Sequence, residues 1–287
     1  TDRAGARYLS GAGISGRGMI SFFEKLRNFE IRRGYSQSDD AAYGRTHPLS
    51  GDRVQTLRNL LAEDPAWEAP DDPALQERFL RAKAKLYGYL ADPRRTLSFF
   101  PPSDTSIAAR YARAYAYHKE ARVDLALAEA DALLAAEPEN PYFLELKGQV
   151  LLESGRPMEA LDPLRRATEL SRAHPLIAGI FGHALIATEN EANYPEAERV
   201  LRAAVSKDRY NPFAWYQLGV VYAASGDIPR ARLASAEQLV MNRRFPEALQ
   251  NAQAAEASLP YGSPDWIRAQ DVALEARAEL ERLRDKR

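Results

Sequence analysis

The sequence predicts an all-α protein, a solenoid of stacked helix pairs preceded by a smaller helical domain. Three observations predict it. A proline, a glycine seven residues later and then an alanine recur as Pro141, Gly148 and Ala160; Pro175, Gly182 and Ala197; and Pro212, Gly219 and Ala231. The prolines lie 34 and 37 residues apart, and the three extra residues fall between Gly182 and Ala197, in the polar stretch around Asn190-Glu191-Ala192-Asn193. A period of this length marks stacked supersecondary units. No segment of strand period interrupts the C-terminal two-thirds of the chain. Finally, 45% hydrophobic and 28% charged residues, with no cysteine, describe a globular chain held by packing alone.

The bulk properties also exclude functions. A net charge of −1 and a pI near 6.5 give no basic footprint for nucleic acid. No apolar run reaches the roughly 18 residues of a transmembrane helix. Without cysteine there is no disulfide, Cys-zinc site or thiol nucleophile, and the compartment is left open. The length of 287 residues suggests about two domains, here residues 1–100 and 104–287. The chain starts at Thr1 without an initiator Met or signal peptide, so a preceding segment is expected to be missing.

The first domain reads as a series of helices. Residues 1–11 form a short amphipathic helix, broken at Gly11-Ala12-Gly13. A second, from about Ser15 to Arg32, sets Met19, Phe22, Phe23, Leu26 and Phe29 at helical spacing. Gly34 through Gly44 is polar and reads as a loop. Arg45-Thr46-His47-Pro48 follows, with Ser50 as N-cap of a helix to about Ala62. Asp64-Pro65 and Pro70-Asp71-Asp72-Pro73 punctuate the next connection. A helix of about 74–90 precedes a linker from Pro93 to Pro102. The glycines at 11, 13 and 16 imitate a dinucleotide fingerprint, but no strand precedes them, so the stretch reads as a helix–helix turn.

Helix pairs are predicted near 105–135, 141–171, 175–206 and 212–242, then a helix near 246–258 and a terminal one near 264–285. The terminal helix, rich in Glu and Arg, reads as the polar cap of the array. The copy from Pro212 carries Trp215, Leu218, Gly219, Tyr222, Gly226 and Ala231 at positions 4, 7, 8, 11, 15 and 20 of a 34-residue unit. That is the tetratricopeptide (TPR) pattern. Small residues at 8 and 20 allow two helices to approach, and Pro138 stops the second helix of the earlier unit that begins near Ile107. Positions 2, 5, 9 and 12 of each first helix line the concave face in such arrays. They supply Tyr111, Tyr115, His118, Tyr142, Glu145, Gln149, His183, Phe213 and Tyr216, a mixture suited to a peptide or a partner's loop. Each ring either faces the groove or packs between neighbouring first helices. His118 and His183 lack a second ligand at i+4 and read as groove or packing residues rather than metal ligands.

Asp2-Arg3-Ala4-Gly5, Ala12-Gly13-Ile14, Phe22 to Leu26, and Thr46-His47-Pro48 followed by Arg53-Val54 stand in an order that resembles one family. They look like the region downstream of the zinc site in HExxH metallopeptidases of the periplasmic β-barrel-assembly-enhancing type, relatives of the CAAX prenyl proteases with a C-terminal TPR domain. The resemblance spans essentially the whole chain, its distinctive motifs lying within residues 1–54. It implies that Asp2 is the group orienting a zinc-bound histidine, that His47 is a regulatory zinc ligand, and that Arg53 belongs to the same motif. It also implies a periplasmic location, zinc in the intact parent, and proteolysis in outer-membrane protein quality control. The partners implied are a protein or peptide substrate, the chain's own missing protease domain and the outer-membrane assembly machinery.

The family's HExxH is absent, for the only histidines are His47, His118, His174 and His183. The family's Glu ligand falls four residues before Asp2, off the start of the chain. The chain alone is therefore expected to hold no catalytic residue and to bind no zinc tightly. Two functions follow. One is the C-terminal portion of a zinc metalloendopeptidase whose repeats bind substrate and cover the protease domain. The other is a non-catalytic TPR adaptor for a partner protein or peptide, which has no reason to carry the Asp2, His47 and Arg53 motifs. A hydrolase active site wholly within this chain lacks a Cys nucleophile and a Gly-x-Ser-x-Gly elbow.

Overall fold

A computed structural model describes residues 1–33 and 50–285. Those residues form helices and no strand. The chain divides into two compact units, Thr1–Leu80 and Arg81–Arg287.

In the first unit, α1 (Asp2–Gly11), α2 (Arg17–Arg32) and α3 (Ser50–Leu61) enclose a small core. It consists of Ala6, Ile20, Phe23, Val54, Leu57 and Leu61, with Met19, Leu26 and Trp67 against it. Of the residues at helical spacing on α2, Phe23 turns inward with Ile20, while Phe22 and Phe29 are exposed. The Gly11–Gly16 stretch is the turn between α1 and α2, with Gly13 at a φ of +69°. Helix α4 (Pro73–Leu90) begins in this unit and ends in the second.

After α4 the second unit continues with α5 (Pro93–Phe99), where a linker was expected. The local sequence explains it. Asp92 accepts from the Arg94 and Arg95 amides as N-cap, and Pro93 fills the first helical position, where its missing N–H costs nothing. Residues 81–100 belong to the same compact unit as the repeats.

Four helix pairs follow: α6 (Ile107–Lys119) with α7 (Val123–Ala136), α8 (Pro141–Glu153) with α9 (Pro157–Leu170), α10 (Pro175–Ala187) with α11 (Tyr194–Lys207), and α12 (Pro212–Ala224) with α13 (Ile228–Met241). Each first helix has 13 residues and each second helix 14. The three-residue insertion is absorbed between α10 and α11 as a 3-10 turn, Glu191–Asn193, capped by Asn190. Two further helices, α14 (Phe245–Glu256) and α15 (Pro264–Arg284), close the array. Helix α15 buries Ala269, Val272 and Ala273 with Leu233, Ala252 and Ala255, and leaves Asp271, Glu275 and Arg277 in solvent.

Positions 8 and 24 face each other within a pair, and their volumes compensate. A Cβ placed on Gly148 would meet Leu164 Cγ at 2.4 Å, and one on Gly182 would meet Leu201 Cγ at 2.4 Å. Where position 8 is Ala114, position 24 is Ala130, and both are fully buried. Gly219 is the loose member, because position 24 of its pair is the smaller Ser235, and its nearest neighbour would be Ala234 Cβ at 3.5 Å.

Position 15 turns the chain between the two helices of a pair in left-handed conformation. Gly155 and Gly226 adopt φ of +76° and +77°, whereas Ala121 and Glu189 hold +56° and +54°. A Cβ in that region is disfavoured by about 1–2 kcal/mol, which glycine avoids at some cost in unfolded-state entropy. Glu189→Gly is expected to stabilise the array by about 0.5–1 kcal/mol, read as a higher urea midpoint.

Candidate functional site

Two groups of the sequence-predicted residues come together, one in each unit. In the first unit, α1 and α3 bring Asp2 to Arg53. The guanidinium donates from Nε to Oδ2 at 2.6 Å and from Nη2 to Oδ1 at 2.7 Å, and stacks over the Phe23 ring with Cζ 3.9 Å from its centroid. This fork matches a carboxylate in a way a lysine cannot. The Arg53 hydrogen bonds hold the Asp2 carboxyl below its usual range, and Asp2 in turn raises Arg53. A depressed carboxyl stabilises the fold above its unfolded-state value, and that contribution is lost as the pH falls through the folded one. Wild type should therefore lose stability below about pH 4 more steeply than Asp2→Asn, in urea titrations at pH 7 and pH 3. Equal acid dependence of the two proteins would count against the pairing. His47, the suspected zinc ligand, lies outside the described residues.

The second group is the concave face. The structure separates its nine predicted residues into a covered half and an open half. Tyr111 and Tyr115 are each 4% exposed and Glu145 is 8% exposed, so none of the three faces an open groove. The cover is the C-terminal part of α4. Lys85 Nζ lies 3.3 Å from Glu145 Oε2 and over the rings of Tyr111 and Tyr142, at 5.7 and 5.8 Å from their centroids. Tyr89 packs edge-on against Tyr115 at 6.0 Å. Arg81 pairs with Glu137 at 2.6 Å, and Lys119 Nζ donates to the Tyr89 and Ala91 carbonyls. The approach is close because α4 has a glycine at the crossing: a Cβ on Gly88 would lie 2.5 Å from the Ala112 carbonyl oxygen. Burial pushes the Tyr111 and Tyr115 phenols far up, so both stay neutral. Tyr142, half exposed, borders this covered region.

The open half runs from His118 at the C-terminal end of α6 over α8, α10 and α12. His118 Nε2 donates to Glu153 Oε2 at 2.7 Å, and Gln149 Nε2 donates to Glu153 Oε1 at 2.8 Å. Those bonds, the His118 one foremost, hold the Glu153 carboxyl below its usual range. The His183 ring meets Phe213 edge-on at 5.7 Å, and burial lowers the imidazole from its usual value. Phe213 and Tyr216 are 42% and 55% exposed. The result is a polar strip, Gln149 with Glu153 and His118, beside an aromatic one. Such a strip can hold backbone amides and apolar side chains of an extended chain. Sequence reasoning missed Glu153, one residue beyond the groove positions, and the α4 cover. Among the described residues no three His, Cys, Asp or Glu side chains gather as a metal site, and no helix is long and apolar enough to cross a membrane.

No protein-family model matches the chain. Curated proteins do. The beta-barrel assembly-enhancing protease of Escherichia coli (strain K12) is 26% identical over 270 residues, covering 91% of this chain and 53% of the relative. Over most of its length this chain is similar to the beta-barrel assembly-enhancing proteases. The Yersinia pestis protein of that name is 23% identical over 274 residues, 93% of this chain and 54% of its own length. The chain thus spans about half the length of the curated relatives it matches. Among solved structures, YrrB, described as a TPR protein with an unusual peptide-binding site, is 24% identical, covers 63% of this chain and 96% of its own, and superposes with a TM-score of 0.47. MamA from Desulfovibrio magneticus RS-1 is 16% identical, with coverages of 62% and 96% and a TM-score of 0.46.

Proposed function

We propose that this chain is the substrate- and partner-handling portion of a zinc-dependent metalloendopeptidase that acts in the periplasm on misassembled outer-membrane proteins. Its repeats bind an extended segment of substrate or partner and cover the protease domain. The observation that carries this reading is the joining of Asp2 and Arg53, two separated motif residues, in one bidentate pair within a chain whose relatives are named proteases. A simple adaptor has no need of that pair.

The residues present do not by themselves fit a catalytic zinc. Two histidines one helical turn apart and a further ligand are required, and the four histidines at 47, 118, 174 and 183 do not supply them. No hydrolytic step is therefore derived from this chain. Its own part is recognition: Phe213 and Tyr216 offer apolar contact, while Glu153, fixed by His118 and Gln149, accepts hydrogen bonds from a bound backbone. In the intact parent, Asp2 would orient a zinc-bound histidine with Arg53 holding its other face, and His47 would be the regulatory ligand.

The test uses an unfolded outer-membrane protein as probe. The purified chain should bind it without cleaving it, and Phe213→Ala with Tyr216→Ala should weaken binding at least tenfold at unchanged helicity. The intact parent should cleave it in a chelator-sensitive manner. Chelator-insensitive cleavage by the chain alone would refute the assignment, and binding without cleavage by the intact parent would return the adaptor reading.

A further inference from the structure

The array has a second concavity, on the side of α12 away from the groove. At 100° per residue, Trp215, Leu218 and Tyr222 point roughly 160° away from Phe213 and Tyr216. Together with α11, α13 and the start of α15 they enclose a cavity of about 370 Å³. Its apolar wall is Leu218, Leu233, Ala234 and Val205 with the Trp215 and Tyr222 rings.

Among the residues that line it, positive charge is in excess. Four arginines face two carboxylates, Glu237 and Asp265. Arg268 forks onto Glu237, with Nη2 to Oε2 at 2.7 Å, and Glu237 is 2% exposed. Arg230 reaches Asp265 at 2.6 Å and Asp227 at 2.9 Å. Both carboxylates of the lining are thus already engaged. Arg202 has only an exposed contact with Glu198 at 3.4 Å, one turn earlier on its own helix, a kind of pair that contributes little. Arg209 has no carboxylate within 4.0 Å among the described residues, although it lies close enough to influence Glu237. Its position is fixed through its backbone, since Trp215 Nε1 donates to the Arg209 carbonyl at 2.9 Å.

We infer that this cavity binds a carboxylate carried on an apolar group, as at the C-terminal end of a peptide chain. Arg202 and Arg209 receive the carboxylate, whose planar geometry suits guanidinium groups, and the Trp215 and Tyr222 rings receive the side chain beside it. A bare inorganic anion leaves the apolar wall unused. The site is distinct from the groove and does not depend on the proteolytic reading of the parent.

The test is a titration of the full chain with N-acetyl-L-phenylalanine, followed by tryptophan fluorescence. The expected result is a saturable change that disappears in Trp215→Phe. It should be at least tenfold weaker in Arg202→Gln/Arg209→Gln, whose exposed positions leave the melting temperature unchanged, and equally weakened when the probe is the neutral N-acetyl-L-phenylalaninamide. An identical response to the amide, or undiminished binding by the double variant, would overturn the inference. So would inorganic phosphate binding as tightly as the probe, which would show a plain anion site. Absence of any saturable change overturns it outright.

Discussion

Gly182→Leu should lower the stability of the repeat unit by about 3 kcal/mol, the upper part of the range for overpacking a filled core. Even a Cβ at this position falls 2.4 Å from Cγ of Leu201, which is fully buried. Gly182 and Leu201 hold α10 and α11 together at the middle of the array. Such a loss corresponds to a fall of roughly 6–12 °C in melting temperature for a unit of this size. Gly219→Ala supplies the contrast. Its Cβ meets nothing nearer than 3.5 Å, so the gain in helix propensity of about 1 kcal/mol should appear undiminished. A Gly182→Leu protein that melts with wild type would refute the pairing of positions 8 and 24.

A comparable effect is expected at Arg113, which is 1% exposed. Its Nε donates to Glu129 Oε1 at 2.6 Å, and its Nη1 donates to the carbonyls of Pro101 and Asp104 at 2.9 and 2.7 Å. One side chain therefore joins α6 to α7 and to the segment that follows α5. Truncation to alanine removes all these donors from partly buried acceptors and should cost about 3 kcal/mol, the lower end of the range for breaking one side of a buried pair. The neighbouring Arg110 touches the same glutamate at 3.1 Å from a more exposed position. Arg110→Ala should cost under about 1 kcal/mol. Urea unfolding of the two variants separates them, and equal losses would show that burial of Arg113 is immaterial.

The parts of the fold visible in the sequence were those set by local chemistry. Pro141, Pro175 and Pro212 begin helices because proline fits the first turn, and the insertion at Asn190–Asn193 stays in a turn because every helix pair around it keeps its length. Asp92-Pro93 held an equally local signal, a cap followed by proline, though the stretch reads as a linker on its proline content. What lay outside local reach was which helix covers which surface. Tyr111, Tyr115 and Glu145 occupy groove positions, yet α4, some 20 to 60 residues earlier, covers them. Gly88 was the available hint, since a glycine inside a helical pattern often marks close approach of another backbone. Asp2 and Arg53 are 51 residues apart, so only the tertiary fold of α1 against α3 could join them.

If the open face holds an extended chain as proposed, the cover over the first groove positions limits how much of that chain it can contact. The open stretch crosses three first helices, α8, α10 and α12, whose axes at 8–10 Å spacing span roughly 20 Å. An extended chain rising about 3.3 Å per residue crosses that distance in roughly six residues, of which alternate side chains face the protein. Three or so readable letters cannot single out one protein among many. If the open face binds chain segments as proposed, a surface this short would respond to whether a stretch is unfolded and accessible rather than to its sequence.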